Sequence, residues 1–112
     1  MSDAKAYSSI HYHSYLKLDK LLGAQTLRSV EVGNPAHDEM LFIITHQVYE
    51  LWFKEIIHDL SGVVRMFEDD ELNEREVGTA VHLLNRVIKI QGLLIEQLEV
   101  METMTALDFL EF

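Results

Sequence analysis

The stretch HDEMLFIITHQVYELWFK, residues 37–54, sets a histidine, His46, inside an apolar run. A buried imidazole costs free energy unless its nitrogens find partners. Such a residue therefore has either a structural partner or a chemical role. On a helix of about 100° per residue, Phe42, His46, Tyr49, Phe53, Ile57, Leu60 and Val64 share one narrow stripe, with Glu50 at its border. This stripe is expected to be the main buried face of the helix. One reading is a pocket histidine, offering a single hydrogen bond inside an aromatic wall, since ligand pockets are mostly apolar with few convergent polar groups. The other is a core histidine satisfied by Glu50 at i+4 or by a backbone carbonyl.

Metal chemistry has one candidate spacing. Glu55-x-x-His58 is the motif of di-iron carboxylate bundles, which need two such pairs and two further inward glutamates. The chain has one pair, near Leu51 and Val48 and away from the His46 stripe, which reads as a solvated or interface face. His11, His13 and His37 lie in segments too loosely patterned to serve as ligands, so no metal site is expected. No nucleophile constellation or Gly-rich phosphate loop is present.

The elements that must position these residues are helical. Two long apolar-periodic segments run from about Asp38 to Phe67 and from about Asn73 to Met104. Each would be roughly 45 Å long at 1.5 Å per residue. Asp38 and Glu39 suit a helix N-terminus. The acidic turn EDDELNE separates the two. Before them, Ser14 as N-cap and Gly23 as stop predict one short helix, and TLRSVEVGNPAH, with the only proline, reads as a connecting loop. Residues 1–10 read as a flexible arm, and residues 11–112 as one helical unit. TALDFLEF reads as a further helix opening at Thr105. The fold expected is all-α: two long antiparallel helices with short flanking helices, part of a larger bundle. On the second long helix, Val77, Val81, Leu84, Ile88 and Ile95 form one apolar row, and Leu83, Val87 and Ile90 another. Two helices alone do not cover both, so more chain or more subunits are expected. Gly78 and Gly92, nearly on one face, suit either a close helix approach or no role.

Composition narrows the partners. Of 112 residues, 19 are acidic and 9 basic, a formal charge of −10 that argues against nucleic acid and anionic membrane surfaces. Cysteine is absent, which excludes disulfides and thiolate metal sites. The start MSDAKAYSS has no apolar signal core, and no apolar run is long enough to span a bilayer, so a cytoplasmic location is expected.

Three blocks, SYLKLDKLLGAQ, HDEMLFIITHQVYELWFKEI and LEVMETMTALDFLEF, resemble in that order the N-terminal blocks of the tryptophan 2,3-dioxygenase family, from about Tyr12 to Phe112. The resemblance implies an all-helical, haem-dependent homotetramer that adds O₂ to the indole of L-tryptophan, giving N-formylkynurenine at the entry to the kynurenine pathway. Motif by motif, it implies that His46 is the distal-side histidine that hydrogen-bonds the indole N–H. Phe42 would pack against indole and haem, and Phe109 would line the substrate pocket. Tyr12, Tyr15 and Leu16 would close the pocket of a neighbouring subunit. The family's carboxylate-binding arginine, which follows the FLEF block, and its proximal haem-ligand histidine have no counterpart in the chain. The expectation is thus an N-terminal portion, inactive alone. The competing expectations are a self-associating helical interaction module without catalysis and a di-metal carboxylate bundle.

Overall fold

The structure is a computed structural model and describes residues 11–68, 72–105 and 110. The arm expected over residues 1–10 and Phe109 lie outside the described residues. The helices are α1 (Tyr12–Tyr15), α2 (Leu18–Leu22), α3 (Arg28–Glu31), α4 (Glu39–Phe67) and α5 (Glu74–Met101). Among the described residues there is no strand, so the all-α expectation holds.

The two long helices start where their polar residues dictate. Asn73 caps α5: its Oδ1 accepts the Glu76 N–H at 2.9 Å, satisfying one of the orphan donors of the first turn. Asp38 makes no such bond at the start of α4. Its neighbour Glu39 instead turns its carboxylate onto α3. It accepts the backbone N–H groups of Arg28 and Ser29, each at 3.0 Å, and the Ser29 hydroxyl. Ser29 Oγ in turn accepts the Ala36 N–H at 3.0 Å. Ser29, Ala36 and Glu39 are all buried. One carboxylate thus caps α3 and anchors the whole connection, which is why a helical turn forms inside the segment that reads as a loop.

Two polar ties set the register of α4 against α5. The Arg86 guanidinium forks onto the buried Asp59 carboxylate, with Nε donating at 2.8 Å and Nη2 at 2.9 Å. The Tyr49 hydroxyl donates to the Leu94 carbonyl at 2.8 Å. Partner numbers fall as α4 numbers rise, so the pair is antiparallel. Between these ties and beyond them lie the buried Thr45, Val63, Ala80, Val87 and Ile90.

This contact corrects the expected burial of α4. The stripe through Phe42, His46, Tyr49, Phe53, Ile57, Leu60 and Val64 is not the buried face in the single chain: Tyr49 is half-buried against α5, but Phe53 is 42% exposed, Ile57 63% and Val64 56%. The face against α5 lies about a quarter turn away, along Thr45, Trp52, Asp59 and Val63. One partner helix covers one stripe, and the Asp59–Arg86 fork selects which. On α5 the row Leu83, Val87 and Ile90 meets α4, whereas Val81 and Ile88 stay open. A groove lined by Leu51, Trp52, Glu55 and Arg86 marks one side of the pair. Helical geometry puts the open apolar stripes of α4 and α5 together on the other.

Two further expectations are corrected. The single short helix between Ser14 and Gly23 is broken: Lys17 adopts the left-handed conformation, φ 53°, and separates α1 from α2. The N-cap of α1 is His11 rather than Ser14. The exposed pair of His13 Nε2 and Asp19 Oδ1, 2.7 Å apart, bridges this elbow. At Gly78 and Gly92 an added Cβ would meet nothing within 4 Å, so among the described residues no helix closes on either glycine.

The buried carboxylates make stability depend on pH. The Ser29 hydroxyl, then the Ser29 and Arg28 N–H groups, hold Glu39 below its ordinary value of 4.5, against burial, which pushes it up. The Arg86 fork holds Asp59 below 3.8 in the same way. A carboxyl with a depressed folded pKa contributes stability that is complete above its unfolded value and lost as pH falls through the folded one. The thermal midpoint, read by circular dichroism, is therefore expected to be level above pH 5 and to fall below 4.5. Glu39→Gln should lower it at neutral pH and flatten the acid limb. A midpoint that rises on acidification contradicts this. Gly78→Ala is expected to raise stability by about 1 kcal/mol in urea unfolding, from helix propensity alone. A loss instead would show that another helix closes on that position.

Candidate functional site

The first three turns of α4 carry the site. Helical spacing stacks Phe42 and His46, with ring centroids 4.3 Å apart and planes tilted by 40°. His46 Nδ1 lies 2.8 Å from the Phe42 carbonyl oxygen. A carbonyl only accepts, so Nδ1 carries the proton. In the neutral ring, Nε2 then presents its lone pair as an acceptor. His46 is thus satisfied at i−4 by backbone, not by Glu50 at i+4. The side chain is exposed in the single chain and continues the open apolar stripe of α4. The tautomer is set by the helix itself and needs no ligand to hold it.

A groove lies beside this ring, between the end of α2 and α4. Leu21 and Ala24 line one wall, and His46, Gln47 and Glu50 the other. The structure does not bring Tyr12, Tyr15 or Leu16 to His46. Tyr12 and Tyr15 are 74% and 70% exposed. Phe109 is outside the described residues.

Among the described residues Glu55 and His58 have no third candidate ligand placed to complete a metal site with them. Glu55 is half-buried beside Arg86, whose guanidinium it helps keep charged, and His58 is exposed. Among the described residues no three His, Asp or Glu side chains gather closely enough to hold an ion. Among them, too, no helix is long and apolar enough to cross a membrane.

Several organising residues were not singled out from the sequence. Asp59 carried only a partial signal, an acid in register with Trp52 and Val63, which becomes readable once Arg86 is placed opposite it. Gln25, Ser29 and Gln47 had none, because the partners that make them organise the fold, a carboxylate, an amide and backbone groups, lie on other elements.

These features define a class: an all-helical scaffold that presents a histidine–aromatic pair on an unfinished apolar face, one candidate wall of a ligand pocket. Comparison with known proteins makes the class specific. The family model described as tryptophan 2,3-dioxygenase matches residues 2–112. The tryptophan 2,3-dioxygenase of Bdellovibrio bacteriovorus is 52% identical over 106 residues, covering 95% of this chain and 30% of that protein. That of Dictyostelium discoideum is 50% identical over 107 residues, covering 96% and 27%. That of Xenopus tropicalis is 50% identical over 105 residues, covering 90% and 25%. The chain belongs to the tryptophan 2,3-dioxygenase family. It spans at most 30% of the length of these curated relatives.

The tautomer is open to direct measurement. Nitrogen-15 NMR of the neutral His46 ring is expected to show a pyrrole-type Nδ1 and a pyridine-type Nε2. The reverse pattern would remove the outward acceptor.

Proposed function

We propose that the chain forms the distal wall of a haem-dependent tryptophan 2,3-dioxygenase, which converts L-tryptophan and O₂ to N-formylkynurenine in the cytoplasm. The observation that carries this reading is the fixed tautomer of His46. Its Nδ1 lies 2.8 Å from the Phe42 carbonyl oxygen, so Nδ1 carries the proton and, in the neutral ring, Nε2 is the acceptor. The indole ring has one N–H donor and an otherwise apolar body. An acceptor beside an aromatic ring on an apolar face matches both features.

The same face fits the distal side of haem, a flat macrocycle that packs on apolar and aromatic side chains. Phe42 would pack against it, and His46 would stand on that side without ligating it. Haem, when bound, supplies the oxygen chemistry. His46 Nε2 accepts the indole N–H and holds the ring in one orientation. It need not remove that proton. Phe42 limits how far the indole can slide along the stripe, and Phe109 would line the same pocket. Tyr12, Tyr15 and Leu16 would cover the pocket of a neighbouring subunit in a homotetramer, a role their exposure in the single chain supports. The open stripes of α4 and α5 would take the remaining helices of the longer protein. The chain alone, without a proximal histidine ligand, would be inactive.

The test is a chimera in which this chain replaces the matching part of the Bdellovibrio bacteriovorus relative. The unmodified chimera should bind haem and oxidise tryptophan. His46→Ala should keep the haem absorbance and lower turnover roughly 5- to 150-fold, the equivalent of about 1–3 kcal/mol for one oriented hydrogen bond. Loss of haem on that substitution would contradict the distal assignment.

A further inference from the structure

We propose that Gln47 is a positioning residue, whose side-chain amide clamps the end of α2 against α4 and thereby sets the groove beside His46. The functional consequence rests on the dioxygenase reading above; the clamp itself does not. Gln47 directly follows His46, so its side chain leaves α4 about 100° away and reaches the connection after α2. It uses both ends of its amide. Nε2 donates to the Ala24 carbonyl at 2.9 Å, and Oε1 accepts from Gln25 Nε2 at 2.9 Å. Gln25 Nε2 also lies 3.1 Å from the Leu21 carbonyl, in the last turn of α2. The Ala24 carbonyl lies just past the helix end, where backbone acceptors have no intrahelical partner, while the Leu21 carbonyl also accepts the Ala24 N–H at 3.4 Å. No other hydrogen bond joins residues 18–25 to α4 among the described residues.

The placement matters because the clamped segment is a wall of the site. Leu21 and Ala24 line the same groove as His46. The clamp therefore fixes the distance between that wall and the imidazole. It also fixes the root of the α1–α2 arm, whose far end carries Tyr12 and Tyr15. Apolar contact holds a wall loosely in direction, whereas an amide bonded at both ends admits one orientation.

Gln47→Met tests this, because it keeps the length and helix propensity of the side chain and removes both bonds. In the 112-residue chain, amide exchange over residues 18–25 should accelerate roughly tenfold or more, as expected for two lost hydrogen bonds. Amides in the middle of α4 and α5 should keep their wild-type rates, and Gln47→Glu, which can still accept from Gln25, should fall between. In the chimera, Gln47→Met should raise KM for tryptophan roughly threefold or more with kcat nearly unchanged, the signature of lost binding-site placement. Unchanged exchange over 18–25 overturns the clamp. Accelerated exchange with an unchanged KM overturns the positioning role. Failure of the unmodified chimera to oxidise tryptophan sinks the dioxygenase reading and the positioning role together, while the exchange result still decides the clamp.

Discussion

The buried Asp59 carboxylate and the Arg86 fork that holds it govern the rest of the structure. A carboxylate taken out of water is tolerated only where charge and geometry compensate it. Only one rotation of α4 about its axis delivers Asp59 to a guanidinium on α5. That rotation turns Thr45, Trp52 and Val63 inward and leaves His46, Phe53, Ile57 and Val64 exposed. The more apolar stripe of α4 thus loses the competition for the partner helix to a stripe carrying a charge. Packing area alone would favour the opposite choice. The Tyr49 hydroxyl at the Leu94 carbonyl fixes the same register from the other half of the pair.

The connection ahead of α4 follows a similar logic on a smaller scale. Glu39 and Gln47 stand two turns apart on one helix and reach back to backbone groups of the preceding segment. Helix ends carry orphan donors and acceptors, and short helices have little else to hold them. Side chains of the long helix supply what α2 and α3 lack. The local order of residues 21–36 is therefore borrowed from α4, and the histidine between the two anchor points inherits a defined neighbourhood.

Much of this was legible in the sequence. The boundaries of α4 and α5 follow from periodicity and from Asn73, Asp38 and Glu39. The stacking of Phe42 on His46 follows from i,i+4 spacing alone. The identity of the buried stripe was not legible, because periodicity reveals apolar stripes and not which one a partner will cover. Asp59 decides that, and a lone acid among apolar residues looks like a solvent-facing residue until its arginine is located. The break at Lys17 left no mark either: lysine has no preference for the left-handed region, and nothing nearby resembles a turn. The groove beside His46 depends on Gln25, Gln47 and the Leu21 and Ala24 carbonyls, a convergence created only by the chain doubling back.

The open apolar side of α4 and α5 has a consequence for how such a chain is made. Helix hairpins with local contacts form within microseconds to milliseconds, whereas a ribosome adds about 5–20 residues each second. On the reading proposed above, two long helices tied by Asp59–Arg86 would assemble well before later helices emerge to cover Ile57, Val64, Val81 and Ile88. For seconds the nascent hairpin would then show water a continuous greasy surface. Chaperone capture and premature pairing between neighbouring nascent chains compete during that interval. The acidic excess of the chain, −10 overall, opposes the second by mutual repulsion.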